Sequence, residues 1–166
     1  LIPHPRHDLL MLVPFRSAQK ACEAVSAIFR EGIIPSGMEF MERDAIQYAM
    51  DFIGEEPVPL GPDDAAHLLI EVDGNDMEAL MADCEKVAEV VERFDCGEIL
   101  FAEDQSKKDQ LWKLRRRVGE AVKAQSIYKE EDTVVPRYEL PALLKAVKEV
   151  GKLYGFRSVC YGHAGD

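Results

Sequence analysis

The chain has 166 residues, of which 47% are hydrophobic, and a formal net charge of -11. This length is enough for one buried core and predicts a single domain over residues 1–166. The negative charge disfavours contact with phosphate backbones and anionic membranes, so nucleic acid is not an expected partner. No apolar run reaches the roughly 18 residues of a membrane span and no signal peptide is recognisable, so we expect a soluble, cytoplasmic protein without a membrane span.

Both ends of the sequence look like points of truncation. Residue 1 is Leu rather than Met, and the last four residues form a glycine-containing turn with no element after it. We therefore expect a domain that is truncated at both ends relative to a longer parent chain.

The first half of the chain predicts two strand–helix pairs followed by a loop. Apolar residues run almost continuously through the first strand, and in the first helix they recur at steps of three and four, with Gly32 at the expected end. The predicted elements in chain order are strand 8–15, helix 17–31, strand 38–43, helix 43–53 and loop 55–64.

The second half repeats this alternation of strands and helices. Asn75 is expected to cap one helix that reaches Val91, and Ser106 with Asp109 resembles the capping box of another, longer helix. The remaining predicted elements are strands 66–74, 98–103, 131–136 and 157–162 and a helix over 139–155.

Six predicted strands with four or five helices allow two architectures. A doubly wound parallel sheet is disfavoured because no glycine fingerprint follows the first strand and several strands alternate with polar residues. We therefore expect an α+β fold of ferredoxin-like β-α-β units, with a largely antiparallel sheet and helices packed on one face.

Positive charge is concentrated on one predicted helix. At about 100° per residue, the consecutive residues Arg115, Arg116 and Arg117 point in different directions, so only one or two can face a common site. Arg115 follows the apolar residue Leu114 and is the best candidate to approach a cleft, where its planar guanidinium suits a carboxylate. The alternative is a solvated face that balances acidic residues elsewhere.

Two further residues are candidates for chemistry. His163 follows the last predicted strand and lies between two glycines, which suits a ligand or acid/base group as well as an ordinary polar strand end. Glu39 lies between Met38 and Phe40, with Arg43 four residues later. It could be a functional carboxylate or simply a half-exposed strand residue.

Five segments occur in an order that resembles the C-terminal domain of FAD-linked oxidases. This family includes the glycolate oxidase D-subunit, D-lactate dehydrogenases and D-2-hydroxyglutarate dehydrogenases. The resemblance spans essentially the whole chain, and its most specific part is VVPRYELP followed by GHAGD. The segments are LIPHPRH, MEFMER, LWKLRRRVGEAV, EDTVVPRYELP and YGHAGD.

The resemblance implies oxidation of a small 2-hydroxy acid, such as glycolate or D-lactate, with hydride transfer to FAD. An N-terminal flavin domain of the same parent chain would hold most of the FAD. Arg115, from the LW-x-x-R motif, is implied to contact the substrate carboxylate. His163 is implied to be a catalytic-site residue and the first ligand of a divalent metal such as Zn or Mn, with further ligands beyond Asp166.

The resemblance leaves the particular acid open, because Arg116 and Gly119 stand where relatives carry other residues. It also leaves open whether the parent chain works with an iron–sulfur subunit. Two other classes of function remain as alternatives to an enzyme fragment. One is a ferredoxin-like regulatory module that binds a small molecule, and the other is a structural or dimerisation domain.

Overall fold

The computed structural model of the chain describes residues 4–165. Residues 1–3 and 166 belong to the first and last segments that carry the resemblance and lie outside the described part. The elements in chain order are β1 His7–Phe15, α1 Ala18–Arg30, β2 Gly37–Glu42, α2 Arg43–Ile53, β3 Ala66–Gly74, α3 Met77–Glu92, β4 Leu100–Phe101, α4 Gln105–Gln125, a 3-10 turn Arg137–Glu139, α5 Leu140–Tyr154 and β5 Tyr161–His163.

The strands form one sheet in the order β4-β1-β3-β2-β5, and each neighbouring pair is antiparallel. The long strands β1 and β3 pair along their full lengths, from His7 opposite Gly74 to Phe15 opposite Ala66. This sheet with five helices confirms the expected α+β class and the largely antiparallel arrangement.

The helices cover both faces of the sheet, so the expectation that they pack on one face is wrong. Helices α1, α3 and α5 enclose one core with Met11 and Val13 of β1. Helices α2 and α4 enclose a second core with Leu10 and Leu12 of the same strand. Because side chains alternate between faces along a strand, the continuous apolar run of β1 requires apolar partners on both sides.

The predicted strand 131–136 is also wrong. This segment is a mostly exposed stretch without regular secondary structure, and it pairs with no strand among the described residues. Its apolar residues gave it strand-like composition, but a strand forms only where a neighbour accepts its hydrogen bonds, and Pro136 has no N–H to donate. Two other predicted strands are shorter than expected, because only part of each has a neighbouring strand. Of 157–162 only the end from Tyr161 is paired, and of 98–103 only Leu100–Phe101.

The helix starts differ from the predictions by one or two residues. Asp76, rather than Asn75, caps α3, because its carboxylate accepts the N–H groups of Glu78 and Ala79. Asp104, rather than Ser106, caps α4 through the N–H of Lys107. None of the helices in residues 4–165 combines the length and apolar character needed to cross a membrane.

Candidate functional site

Glu39, His163 and Arg115 meet on the face of the sheet that α4 covers. Glu39 in β2 is directly opposite His163 in β5, so the antiparallel register places the two side chains next to each other. Met38 and Phe40 point into the core under α1, and alternation therefore directs Glu39 to the other face. Helix α4 brings Arg115 to this face because Leu114 and Val118 pack into the second core.

The carboxylate of Glu39 binds both of the other groups. Its Oε2 accepts from Arg115 Nε at 2.9 Å and lies 2.8 Å from Nη2 of the same guanidinium. Its Oε1 lies 2.8 Å from His163 Nδ1. The Glu39 side chain is only 6% exposed and that of Arg115 15%. A buried carboxylate requires such partners, so the three residues form one connected unit.

His163 provides the open side of this unit. Its side chain is 71% exposed, although Nδ1 contacts the buried carboxylate. Nε2 has no hydrogen-bond partner among the residues that the structure describes. The imidazole therefore presents one ring nitrogen to the protein and the other to solvent.

One aromatic residue borders Arg115, and another ties its helix to the sheet. The guanidinium carbon lies 5.8 Å from the centre of the Tyr161 ring, within the range of a cation–π contact. Burial raises the pKa of Tyr161, so its hydroxyl stays protonated at neutral pH. Trp112 Nε1 donates to Glu71 Oε2 at 2.9 Å, which ties α4 to β3 one turn before Arg115. Sequence reasoning missed the role of Glu71, because only the register of β3 brings it to Trp112.

The turn after His163 is held in place by three contacts. The N–H of Ala164 donates to the carbonyl of Met38 at 2.8 Å. Arg137 donates through Nε at 3.1 Å and also through Nη2 to the carbonyl of Gly165, and its guanidinium lies 4.0 Å from the Phe29 ring centre. The VVPRYELP segment is thus joined to GHAGD through Arg137, a contact that sequence reasoning did not anticipate.

The other candidate contacts are absent or differ from expectation. Arg43 does not pair with Glu39 and instead donates to the backbone carbonyls of Gly61 and Asp64. Arg116 is exposed, and Arg117 pairs with Glu120 on the outer face of α4. The three consecutive arginines therefore do point to different surroundings, and Arg115 is the one that reaches the sheet.

Residues 4–165 contain no group of three or more His, Cys, Asp or Glu side chains that could hold a metal ion. His163 with Glu39 behind it nevertheless fits part of such a site. Metal-binding histidines commonly donate their second ring N–H to a carboxylate, and the exposed Nε2 has the geometry of a single ligand. The described residues can therefore supply one ligand and its supporting carboxylate.

The chain is similar to known proteins over its whole length. The chain is 33% identical over 168 residues to the glycolate oxidase subunit GlcD of Escherichia coli K12, covering 100% of this chain and 33% of the relative. It is 29% identical over 170 residues to a D-lactate dehydrogenase of Anaerostipes hadrus, covering 100% and 36%. The chain thus spans about a third of the length of these relatives.

The fold is similar to part of a solved structure of alkyldihydroxyacetonephosphate synthase. The TM-score is 0.60 at 12% identity, over 90% of this chain and 31% of that chain. At this identity the likeness concerns the fold alone. A family model described as the C-terminal domain of FAD linked oxidases matches residues 4–166, and the chain therefore belongs to this family.

Proposed function

We propose that this chain is the substrate-side domain of an FAD-dependent oxidoreductase that oxidises a small 2-hydroxy acid, such as glycolate or D-lactate, to the 2-oxo acid. An N-terminal flavin domain of the same parent chain would hold most of the FAD. Family membership supports the flavin chemistry, and the relatives named glycolate oxidase subunit and D-lactate dehydrogenase support the substrate class.

The observation that carries this proposal is the anchoring of Arg115 by one edge of its guanidinium. Nε and Nη2 both contact Glu39 Oε2, while Nη1 has no partner among residues 4–165. The end of the guanidinium, formed by Nη1 and the outer N–H of Nη2, can offer two parallel donors to a carboxylate. Arg115 would thereby bind the carboxylate of a 2-hydroxy acid and orient the adjacent carbon.

His163 is the residue of this chain that would act near the substrate hydroxyl. Its Nε2 is exposed and has the lone-pair chemistry of a ligand for a divalent metal such as Zn or Mn. When bound, such a metal would supply Lewis-acid chemistry beside the substrate hydroxyl. The other ligands would come from outside residues 4–165.

The domain itself binds and orients, and the redox chemistry belongs to the flavin. FAD supplies the hydride acceptor when it is bound. Arg115 would hold the acid in place, and His163 would lie on the side of the substrate hydroxyl. Glu39 would keep both residues in fixed positions. We therefore expect the domain alone to be inactive.

The test is the anaerobic absorption spectrum of the full-length protein before and after adding glycolate, D-lactate or D-2-hydroxyglutarate. We expect flavin bands that one of these acids bleaches. The variant His163→Ala should keep the flavin bands and lose the bleaching. Arg115→Ala should behave in the same way, because it removes the carboxylate-binding group.

Arg116→Ala is the matched control, since Arg116 is the exposed neighbour on the same helix. The flavin of this variant should be bleached as in the wild type. Bleaching that persists in the Arg115 and His163 variants would contradict the roles proposed here. A full-length protein without flavin would contradict the oxidoreductase proposal and would favour a ligand-binding module instead.

A further inference from the structure

The sheet contains two buried glutamates in one strand, and only one of them contacts the candidate site. Glu39 contacts Arg115 and His163, both of which have a side that other groups can reach. Glu42, three residues later, contacts Lys148 Nζ at 2.7 Å and the N–H of Cys160 at 2.8 Å. Glu42 therefore serves as a comparison for what a buried carboxylate does without a site.

We infer that Glu39 is a positioning residue that fixes His163 in the tautomer with the proton on Nδ1 and the lone pair on Nε2. An ionised carboxylate only accepts hydrogen bonds, and Oε1 lies 2.8 Å from Nδ1. A lone pair on Nδ1 would repel the lone pairs of Oε1 at this distance, so a neutral imidazole carries its proton on Nδ1. The lone pair is then on Nε2, the nitrogen on the exposed side of the ring.

Arg115 makes this assignment firm. A guanidinium donates and never accepts, so Oε2 of Glu39 is the acceptor in its hydrogen bond with Arg115 Nε. The same contact fixes the plane of the carboxylate and hence the direction of Oε1. Arg115 thus acts on His163 through Glu39, without touching it.

The arrangement also suits a particular substrate class, and this consequence rests on the proposed function. Glu39 links Arg115, which is proposed to bind the carboxylate of the substrate, with His163, which is proposed to act at the substrate hydroxyl. In a 2-hydroxy acid these two functions are on adjacent carbons, so a rigid link between Arg115 and His163 matches a fixed spacing in the substrate.

The test uses the Glu39→Gln variant of the full-length protein, because the orientation of its amide predicts the tautomer of His163. Arg115 can only donate, so the amide oxygen of Gln must face it. The amide NH₂ then faces His163, and Nδ1 has to accept. We expect the histidine to change to the tautomer with the proton on Nε2.

The readout is the ¹⁵N spectrum of histidine-labelled, metal-depleted protein, recorded at about pH 8, above the usual imidazole pKa of about 6.5. The signals of His163 are assigned by their loss in His163→Asn. The wild type should show the lone-pair shift on Nε2, and Glu39→Gln should show it on Nδ1. Glu42→Gln, the matched control in the same strand, should give the wild-type spectrum.

Activity provides a second readout. Glu39→Gln should lower kcat/KM by about 10- to 100-fold, the usual effect of losing a carboxylate that supports a ligand, whereas Glu42→Gln should leave it unchanged. A wild type with its proton on Nε2 would overturn the inference even if the variants fail to fold. So would a Glu39→Gln variant that keeps the proton on Nδ1. If the tautomers are as expected but no acid bleaches the flavin, the proposed function is contradicted and the inference about Glu39 stands.

Discussion

The two buried glutamates of β2 show how similar interactions can serve a site or only the fold. Both side chains are nearly inaccessible, at 6% for Glu39 and 9% for Glu42, and each holds one cation. The partners of Glu42 are the flexible amine of Lys148 and the backbone N–H of Cys160, which join α5 and the segment before β5 to β2. The partners of Glu39 are a guanidinium that has no other hydrogen-bond partner among residues 4–165 and an imidazole that is 71% exposed. The open partners, rather than the buried charge, mark the candidate site.

The largest expected effect on stability comes from removing Arg115. Arg115→Ala leaves the Glu39 carboxylate buried without a cation, so we expect the local free energy of unfolding to fall by about 3 to 5 kcal/mol. Lys148→Ala should cost only about 1 to 2 kcal/mol, because Lys148 is 35% exposed and Cys160 N–H still bonds Glu42. Hydrogen exchange of β2 amides in the full-length protein measures both values. Equal losses of free energy in the two variants would contradict the proposed difference between Glu39 and Glu42.

Acid should also weaken this sheet through a buried histidine in β3. Burial lowers the pKa of His67 to about 4; the carboxylate of Asp64, 3.7 Å away, opposes this shift but does not outweigh it, and Arg43 adds to it. The imidazole is therefore neutral at pH 7 and does not form an ion pair with Asp64. Its Nδ1 is also buried without a hydrogen-bond partner in the described structure.

The unfolded chain binds a proton on His67 near pH 6.5, whereas the folded chain does so only near pH 4. Stability from this residue is therefore complete above pH 6.5 and falls by up to about 3 kcal/mol as the pH drops to 4. Exchange of β3 amides at a series of pH values, compared with His67→Leu, should show this slope only in the wild type. The same slope in both proteins would assign acid sensitivity to other groups.

A smaller effect is expected at the turn that follows His163. Arg137→Ala removes two N–H donors from the carbonyl of Gly165 and the contact with Phe29, a loss of about 1 to 2 kcal/mol. The Ala164 amide should then exchange faster. Arg157→Ala is the control, because Arg157 is also an exposed arginine beside an aromatic ring, 5.2 Å from that of Tyr48, but it contacts Asp44 rather than Gly165. Unchanged exchange of Ala164 in the Arg137 variant would show that Arg137 does not hold this turn.

The sequence was sufficient to predict the elements with strong local signals. The amphipathic pattern of α4 identified Arg115 as the arginine nearest the core, and the continuous apolar residues of β1 identified a buried strand. The same continuity indicated burial on two faces, which the one-face interpretation overlooked. The segment 131–136 shows the opposite limit, because strand-like composition does not reveal whether a partner strand is available.

The meeting of Glu39 with His163 could not be predicted from spacing. It depends on β5 pairing with β2 in the register that sets His163 opposite Glu39, a contact between distant parts of the chain. Local patterns carry no information about such a register until the neighbouring strand is known. The alternation of β2 did place Glu39 on the opposite face from Met38 and Phe40, and that face proved to be the one under α4.

The most direct test of the central claim compares an acid with its amide. The rate of anaerobic flavin reduction is measured in the full-length protein for the acid that bleaches it and for the corresponding 2-hydroxy amide, in wild type, Arg115→Ala and Arg116→Ala. If Arg115 binds the substrate carboxylate, its loss should slow reduction by the acid about 100-fold more than it slows reduction by the amide, because any effect through Glu39 and His163 is common to both substrates. The Arg116→Ala variant should show the wild-type rates of reduction with both the acid and the amide. An Arg115→Ala variant that slows acid and amide equally, or neither, would contradict the account.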